Sequence, residues 1–192
     1  MAQTTSQMLP LGTEAPDFSL PDADGRTFSL ADATDADAVL VMFICNHCPF
    51  VKHVRRELAQ LGRDYSSRNV AIFAINSNDF DAYPGDSPAN MKEEAETWGY
   101  TFPYLVDRDQ GVAKAYQAAC TPDFYVFDKD RRLVYRGQLD DSRPSNDKPV
   151  TGRDVRAALD HVLEGKPVRE GQTPSIGCNI KWRPGNAPEW FG

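Results

Sequence analysis

Positive charge is scarce in this chain. Lys and Arg number 21 against 28 Asp and Glu, so the formal net charge is -7 and the pI is near 4.9. A surface of that sign repels phosphate backbones and anionic lipid, and neither nucleic acid nor a membrane is expected as a partner. No apolar run approaches the ~20 residues that a membrane span needs. The opening stretch MAQTTSQMLPLGTEAPDF has neither a basic n-region nor an apolar h-region, so it does not read as a secretory signal, and the expected location is the cytoplasm. Internal repeats and low-complexity segments are missing. Cysteine is sparse, at four residues. In a reducing compartment structural disulfides are rare, so two cysteines close in sequence point to catalysis or to metal binding.

What is present suits one folded unit. Hydrophobic residues make up 41% of the 192 positions and charged residues 26%, enough apolar material for a single core. DFSLPDADGRTFSL (17–30) predicts a small hairpin: Phe18 and Leu20 alternate with polar residues, Asp24-Gly25 supplies the turn, and Phe28 and Leu30 restore the apolar face. The branched run AVLVMFI (38–44) predicts a strand buried on both faces. From Pro49 to about Tyr65 the period becomes helical, with Val51, Val54, Leu58 and Leu61 on one face. NVAIFAIN (69–76) predicts a second buried strand, and strand, helix, strand implies parallel pairing with a right-handed crossover. A loop over 78–90, a helix over 88–98, a short strand near 100–107 and a short helix over 110–118 follow. Residues 123–140 predict an antiparallel hairpin turning at Asp128 to Arg131. Thr151 and Asp154 form a capping pair for a helix carrying Val155, Leu159 and Val162 up to Gly165. Asp140 and Asp141 read as a solvated loop rather than a cation site. The fold class is α/β, a mixed central sheet flanked by helices, with an N-terminal β-hairpin extension and an irregular C-terminal tail. The expected organisation is a flexible N-terminus over 1–12, one domain over 13–170, and a tail over 171–192 packed on it.

The chemistry concentrates in ICNHCPF (44–50). Cys45 ends the buried strand and opens the helix, where unpaired N–H groups favour thiolate over thiol. His47, when protonated, would add to that effect. Pro49 suits the first helical turn. Cys48, three residues on, shares a helical face with Cys45, so the two sulfurs can meet. Cys45 is expected to be exposed and nucleophilic, and Cys48 more buried and resolving, as mixed-disulfide chemistry requires. The bland alternative is that both are small buried fillers. A metal site would take Cys45, His47 and Cys48, but a structural zinc site wants a second close pair: Cys120 and Cys178 are isolated, and His53 and His161 have no partner at ligand spacing. No metal and no cofactor is expected. Pro122 cannot sit inside a central strand and is read as the first residue of one.

Several segments together resemble the thioredoxin superfamily, in its peroxiredoxin-like branch with the alkyl-hydroperoxide-reductase/thiol-specific-antioxidant (AhpC/TSA) domain. They are APDFSL (15–20), the DG turn at 24–25, CNHCPF (45–50), CTPDFYVFD (120–128), YRGQLDD (135–141) and SIGCNIKW (175–182). The resemblance implies a thioredoxin-like fold. It also implies a cis-proline loop at Thr121-Pro122 that faces Cys45 and Cys48, docks an extended substrate peptide and keeps metal off the dithiol. Two departures stand out. The peroxidase pattern places a hydroxyl three residues before its cysteine, where this chain has Met42 or Cys45 depending on register, with Ala38 or Val41 at the pattern's proline. The tryptophan and buried aspartate usual before a thioredoxin dithiol are Ile44 and Val39. Cys120 is read first as packing and Cys178 as a structural or free thiol, each a possible auxiliary thiol at the site. The tail aromatics Trp182, Trp190 and Phe191 are read as cover for apolar surface. The expected activity is thiol–disulfide oxidoreduction with Cys45 and Cys48 catalytic and His47, Thr121 and Pro122 supporting. The expected partners are protein or small-molecule disulfides and a thiol electron donor. Peroxide reduction through Cys45 is the alternative.

Overall fold

The six-residue run Ala38–Phe43 (β4) is wholly buried and forms the middle of the molecule. A computed structural model describes residues 3–192. The remaining elements in chain order are β1 (Gln3–Thr5), β2 (Ser19–Pro21), β3 (Thr27–Ser29), α1 (Pro49–Tyr65), β5 (Val70–Asn76), α2 (Pro88–Trp98), β6 (Tyr104–Val106), α3 (Gly111–Ala115), β7 (Cys120–Thr121), β8 (Asp123–Phe127), β9 (Leu133–Gly137), α4 (Arg153–Leu163) and β10 (Ile176–Asn179). The main sheet runs β6-β5-β4-β8-β9. β4 pairs in parallel with β5 and antiparallel with β8, so the sheet is mixed.

Alternation along β4 divides the core. Leu40 and Met42 join Val51, Val54, Leu58, Leu61 and Tyr65 of α1 and Val155, Ala158 and Leu159 of α4. Val39, Val41 and Phe43 point the other way, against Phe18, Leu20, Val112, Tyr116 and Leu133. Each large side chain buried this way contributes about 1.5–3 kcal/mol, so the apolar face of α1 anchors the helix firmly on the sheet. That fixes where its N-terminus lies.

The hairpin of β2 and β3 pairs Leu20 with Phe28, and Gly25 takes φ +80 in its turn. The second hairpin, β8 and β9, turns where Arg131 N–H bonds Asp128 O, at 3.0 Å. Helix α2 begins with Ser87 accepting from Asn90 N–H and ends at Gly99 in the left-handed region, φ +69.

Three expectations are corrected. From residue 3 onward the N-terminal segment is tied into the fold: β1 pairs with β10, and Leu9 is buried. The tail is not wholly irregular, since β10 forms the middle strand of a second sheet, β1-β10-β7. Both segments are short, and their partners lie far off in sequence, Cys178 opposite Gln3 on one side and Thr121 on the other, so no local pattern marks them. Asp140 is buried rather than solvated; its carboxylate accepts from Thr151 N–H at 2.6 Å and Gly152 N–H at 2.7 Å and so holds the start of α4. Thr151 Oγ1 makes the smaller contribution, accepting from Arg153 N–H at 3.3 Å. No helix among the described residues is long and apolar enough to cross a membrane.

Candidate active site

The strand-to-helix junction after β4 carries Cys45, Asn46, His47 and Cys48 in succession. The helix starts at Pro49, so Cys48, not Cys45, occupies its N-cap. That three-residue difference moves the electrostatics. The free N–H groups of the first turn lie nearer Cys48 than Cys45, and the Val51 backbone is among the influences that lower the Cys48 pKa.

The sulfurs form one bonded group. Cys48 Sγ lies 2.8 Å from Cys178 Sγ and 3.3 Å from the Thr121 carbonyl oxygen. As a thiol it donates to that carbonyl; as a thiolate it receives the Cys178 proton. The neighbouring Cys45 thiol is the largest influence on the acidity of Cys48. Burial opposes ionisation, but the donors from Cys45, Cys178 and the Val51 and Cys178 backbone prevail and bring the Cys48 pKa down to about 5. Cys45 responds in the opposite sense. Burial pushes its thiol well up, its bond to Cys48 and the Asp86 charge push further, and the Thr121 hydroxyl, 3.2 Å away, only partly offsets them. Two acids this strongly linked lose protons as a unit, and the first charge belongs on Cys48.

The expectation of an exposed Cys45 thiolate is therefore corrected. Cys45 is 1% exposed, Cys48 is fully buried, and the anion sits on Cys48. The causes are burial first, then the neighbouring Cys48, and an acidic neighbour that the local sequence does not show. That neighbour is Asp86, buried in the turn Pro84–Asp86. Its Oδ2 meets His47 Nδ1 at 2.5 Å and Asn78 Nδ2 at 2.9 Å, and its Oδ1 accepts from Asn46 N–H at 2.7 Å. Burial works against the charge, yet these donors hold the carboxyl below its usual range. Asn46 is fixed in turn by Tyr104 OH, at 2.9 Å, and by Gly85 O, at 3.0 Å. His47 stacks on exposed Tyr83 with 5.9 Å between ring centroids. Asp86 is the functional residue that sequence reasoning missed. Forty positions separate it from Asn46, and one aspartate in a Pro/Gly loop carries no motif.

Cys45, His47 and Asp86 offer ligand atoms within 4.8 Å of one another. His47 and Asp86 already bond each other directly, so this set would hold a metal only by giving up that bond.

Thr121-Pro122 is a cis peptide, and it faces the sulfurs as the resemblance implied. The backbone edge beside it is not free. Thr121 and Cys120 pair antiparallel with Cys178 and Asn179 of β10. Gly177 permits this approach, because a Cβ there would stand 1.9 Å from Thr121 O. The structure thus brings Cys178 into the site, in contact with Cys48. Cys120 is buried beneath, its sulfur 3.8 Å from Pro122 O, and burial pushes its thiol well up.

A mixed sheet of this order, with cysteines at the junction of its central strand and a cis-proline opposite, defines an oxidoreductase of the thioredoxin superfamily. The chain belongs to the AhpC/TSA family, whose model matches residues 11–136. Thiol-disulfide oxidoreductase ResA of Geobacillus thermodenitrificans is 28% identical over 130 residues, covering 68% of this chain and 70% of that protein. The crystal structure of a conserved protein from Geobacillus kaustophilus is 60% identical, with a TM-score of 0.94 over 96% of this chain and 98% of that one. A putative thiol:disulfide interchange protein DsbE from Chlorobium tepidum shares the fold, at 17% identity and a TM-score of 0.63, over 81% of this chain and 99% of that one.

Proposed function

We propose that this protein is a thiol–disulfide oxidoreductase whose working pair is Cys45 and Cys48. The observation that carries the reading is that both sulfurs meet the residue before the cis-proline: Cys45 Sγ lies 3.2 Å from the Thr121 hydroxyl and Cys48 Sγ 3.3 Å from the Thr121 carbonyl oxygen. In the resting dithiol the charge lies on Cys48 and Cys45 donates its proton to it. Moving that proton onto Cys48 leaves a thiolate on Cys45. The Cys45 sulfur then attacks one sulfur of a substrate disulfide, and the other substrate sulfur leaves as a thiolate. The departing substrate thiolate takes the Cys48 proton, and the Cys48 thiolate then attacks Cys45 and displaces the first substrate sulfur as a thiolate. Two electrons pass to the substrate and a Cys45–Cys48 disulfide remains.

Cys45 is assigned the attack because its neighbours lead outward: the His47 side chain is 25% exposed and stacks on exposed Tyr83. Cys48 is enclosed by Cys178, Thr121 and α1. His47 compensates Asp86, and Thr121 donates to the Cys45 thiolate. Because β10 already occupies the edge of β7, a visitor approaches without adding a strand there, which favours small disulfides or a single extended loop as substrates. The ResA name of a relative supports the reaction class.

Peroxide reduction is the second reading, favoured by the Thr121 hydroxyl 3.2 Å from Cys45, a hydroxyl that neither register of the local sequence supplied. Insulin reduction and peroxide consumption, run side by side with dithiothreitol as donor, separate the two. The proposal expects insulin reduction that Cys45→Ser and Cys48→Ser each abolish. Peroxide turnover that survives Cys48→Ser, without insulin reduction, would replace it with the second reading.

A further inference from the structure

The third sulfur of the site has no part in that scheme, yet it makes the shortest sulfur contact, 2.8 Å to Cys48. Three features show that this contact is built by the fold. The register of β10 on β7 sets Cys178 opposite Thr121, the residue before the cis-proline. Gly177 lets the two backbones close to a distance at which any Cβ would collide with Thr121 O. Ser175, on the same segment, donates its hydroxyl to Pro122 O, and its N–H bonds Ser6 Oγ at 2.9 Å. The tail strand is therefore held on both sides of Cys178. Cys48 is the central sulfur, with Cys45 on one side and Cys178 on the other.

We propose that Cys178 is a second disulfide partner of Cys48, so that the oxidised site passes its disulfide inward from Cys45–Cys48 to Cys48–Cys178. The step is internal thiol–disulfide exchange. The Cys178 sulfur attacks Cys48 Sγ; the Cys48–Cys178 bond forms and the Cys45–Cys48 bond breaks. The electron pair of the broken bond leaves on Cys45, and the Cys178 proton follows to it. No net electrons move, and no external reactant is needed. In the reduced site Cys178 is poorly acidic, pushed up to about 12 by burial and then by its bond to anionic Cys48. Once Cys48 is engaged in a disulfide its charge is gone, and that second restraint on Cys178 is lifted. The product leaves Cys45 a free thiol next to His47, able to meet a second molecule while the oxidising equivalent is stored inside. This inference rests on reading Cys45 and Cys48 as a redox pair.

Tryptic mapping of the full-length protein tests it. Cys45 and Cys48 share the peptide 27–52, Cys178 lies in 170–181, and Cys120 lies in 115–129. Protein oxidised with one equivalent of diamide is quenched in acid, its free thiols are alkylated, and it is digested. The expected result is a cross-link between 27–52 and 170–181 in wild type, which becomes the sole disulfide in Cys45→Ser. The intrapeptide loop alone in wild type, with no cross-link in Cys45→Ser, would overturn the inference and leave the dithiol reading standing. A cross-link to 115–129 instead would overturn it in favour of Cys120. Absence of any disulfide in wild type would overturn both. The wild-type map does not depend on whether the variant folds.

Discussion

Asp86 changes what His47 does. Read locally, His47 is a cation beside a thiolate; in the structure it is the counter-ion of a carboxylate that faces Cys45. Removing either member should move Cys45 in opposite directions. His47→Ala removes the ring that bonds Asp86 and should raise the Cys45 pKa further, so that Cys45 alkylates more slowly at a given pH. Asp86→Asn removes the repulsion and should lower it. The pH dependence of Cys45 alkylation by iodoacetamide, followed by peptide mapping, reads both shifts. Shifts of the same sign in the two variants would show that the dyad does not set the acidity of Cys45. At this scale the sequence disclosed the cysteines, His47 and the proline, because each belongs to a contiguous motif. It did not disclose Asp86, Asn78 or Tyr104, which reach the site from three loops and strands whose approach depends on the closed sheet.

Elements with strong periodicity were legible. The β4 run, the apolar face of α1 and both hairpins follow from branched residues, 3.6-residue spacing and turn chemistry. The helical period from Pro49 to Tyr65 was legible, but the placing of Cys45 at the helix opening was three residues early, and that matters because Cys48 occupies the N-cap. β1, β7 and β10 were not legible. They are two to four residues long, carry no alternation of their own, and exist because each finds the others. Gly177 looked like one more glycine of a loose tail. Its reason is the carbonyl of Thr121, visible only once the strands meet.

For the whole molecule, the two chain ends meet behind the cis-proline and enclose a buried acid. Asp123 accepts from Ser6 Oγ at 2.8 Å and Tyr125 OH at 3.0 Å, yet burial outweighs these donors and raises its pKa to about 7. An unfolded aspartate titrates near ~3.9. The folded protein therefore keeps a proton that the unfolded chain releases between those values. This contribution to stability is fully present below about pH 4 and is lost as pH rises through about 7, on the order of 4 kcal/mol in total. Thermal melts should show Tm falling from pH 5 to pH 8, with a flatter profile in Asp123→Asn. An unchanged slope in that variant would remove Asp123 as the cause.

The central claim is that Cys45 takes the substrate sulfur and Cys48 releases it, and intact-mass analysis of the two single-cysteine variants tests it most directly. Each is mixed with oxidised glutathione and quenched in acid. The account predicts that Cys48→Ser accumulates a stable glutathione adduct mapped to Cys45, whereas the wild type shows the mass of an internal disulfide, with any adduct it carries mapped to Cys45. An adduct that forms on Cys48 in Cys45→Ser, with none on Cys45 in the other variant, would contradict it.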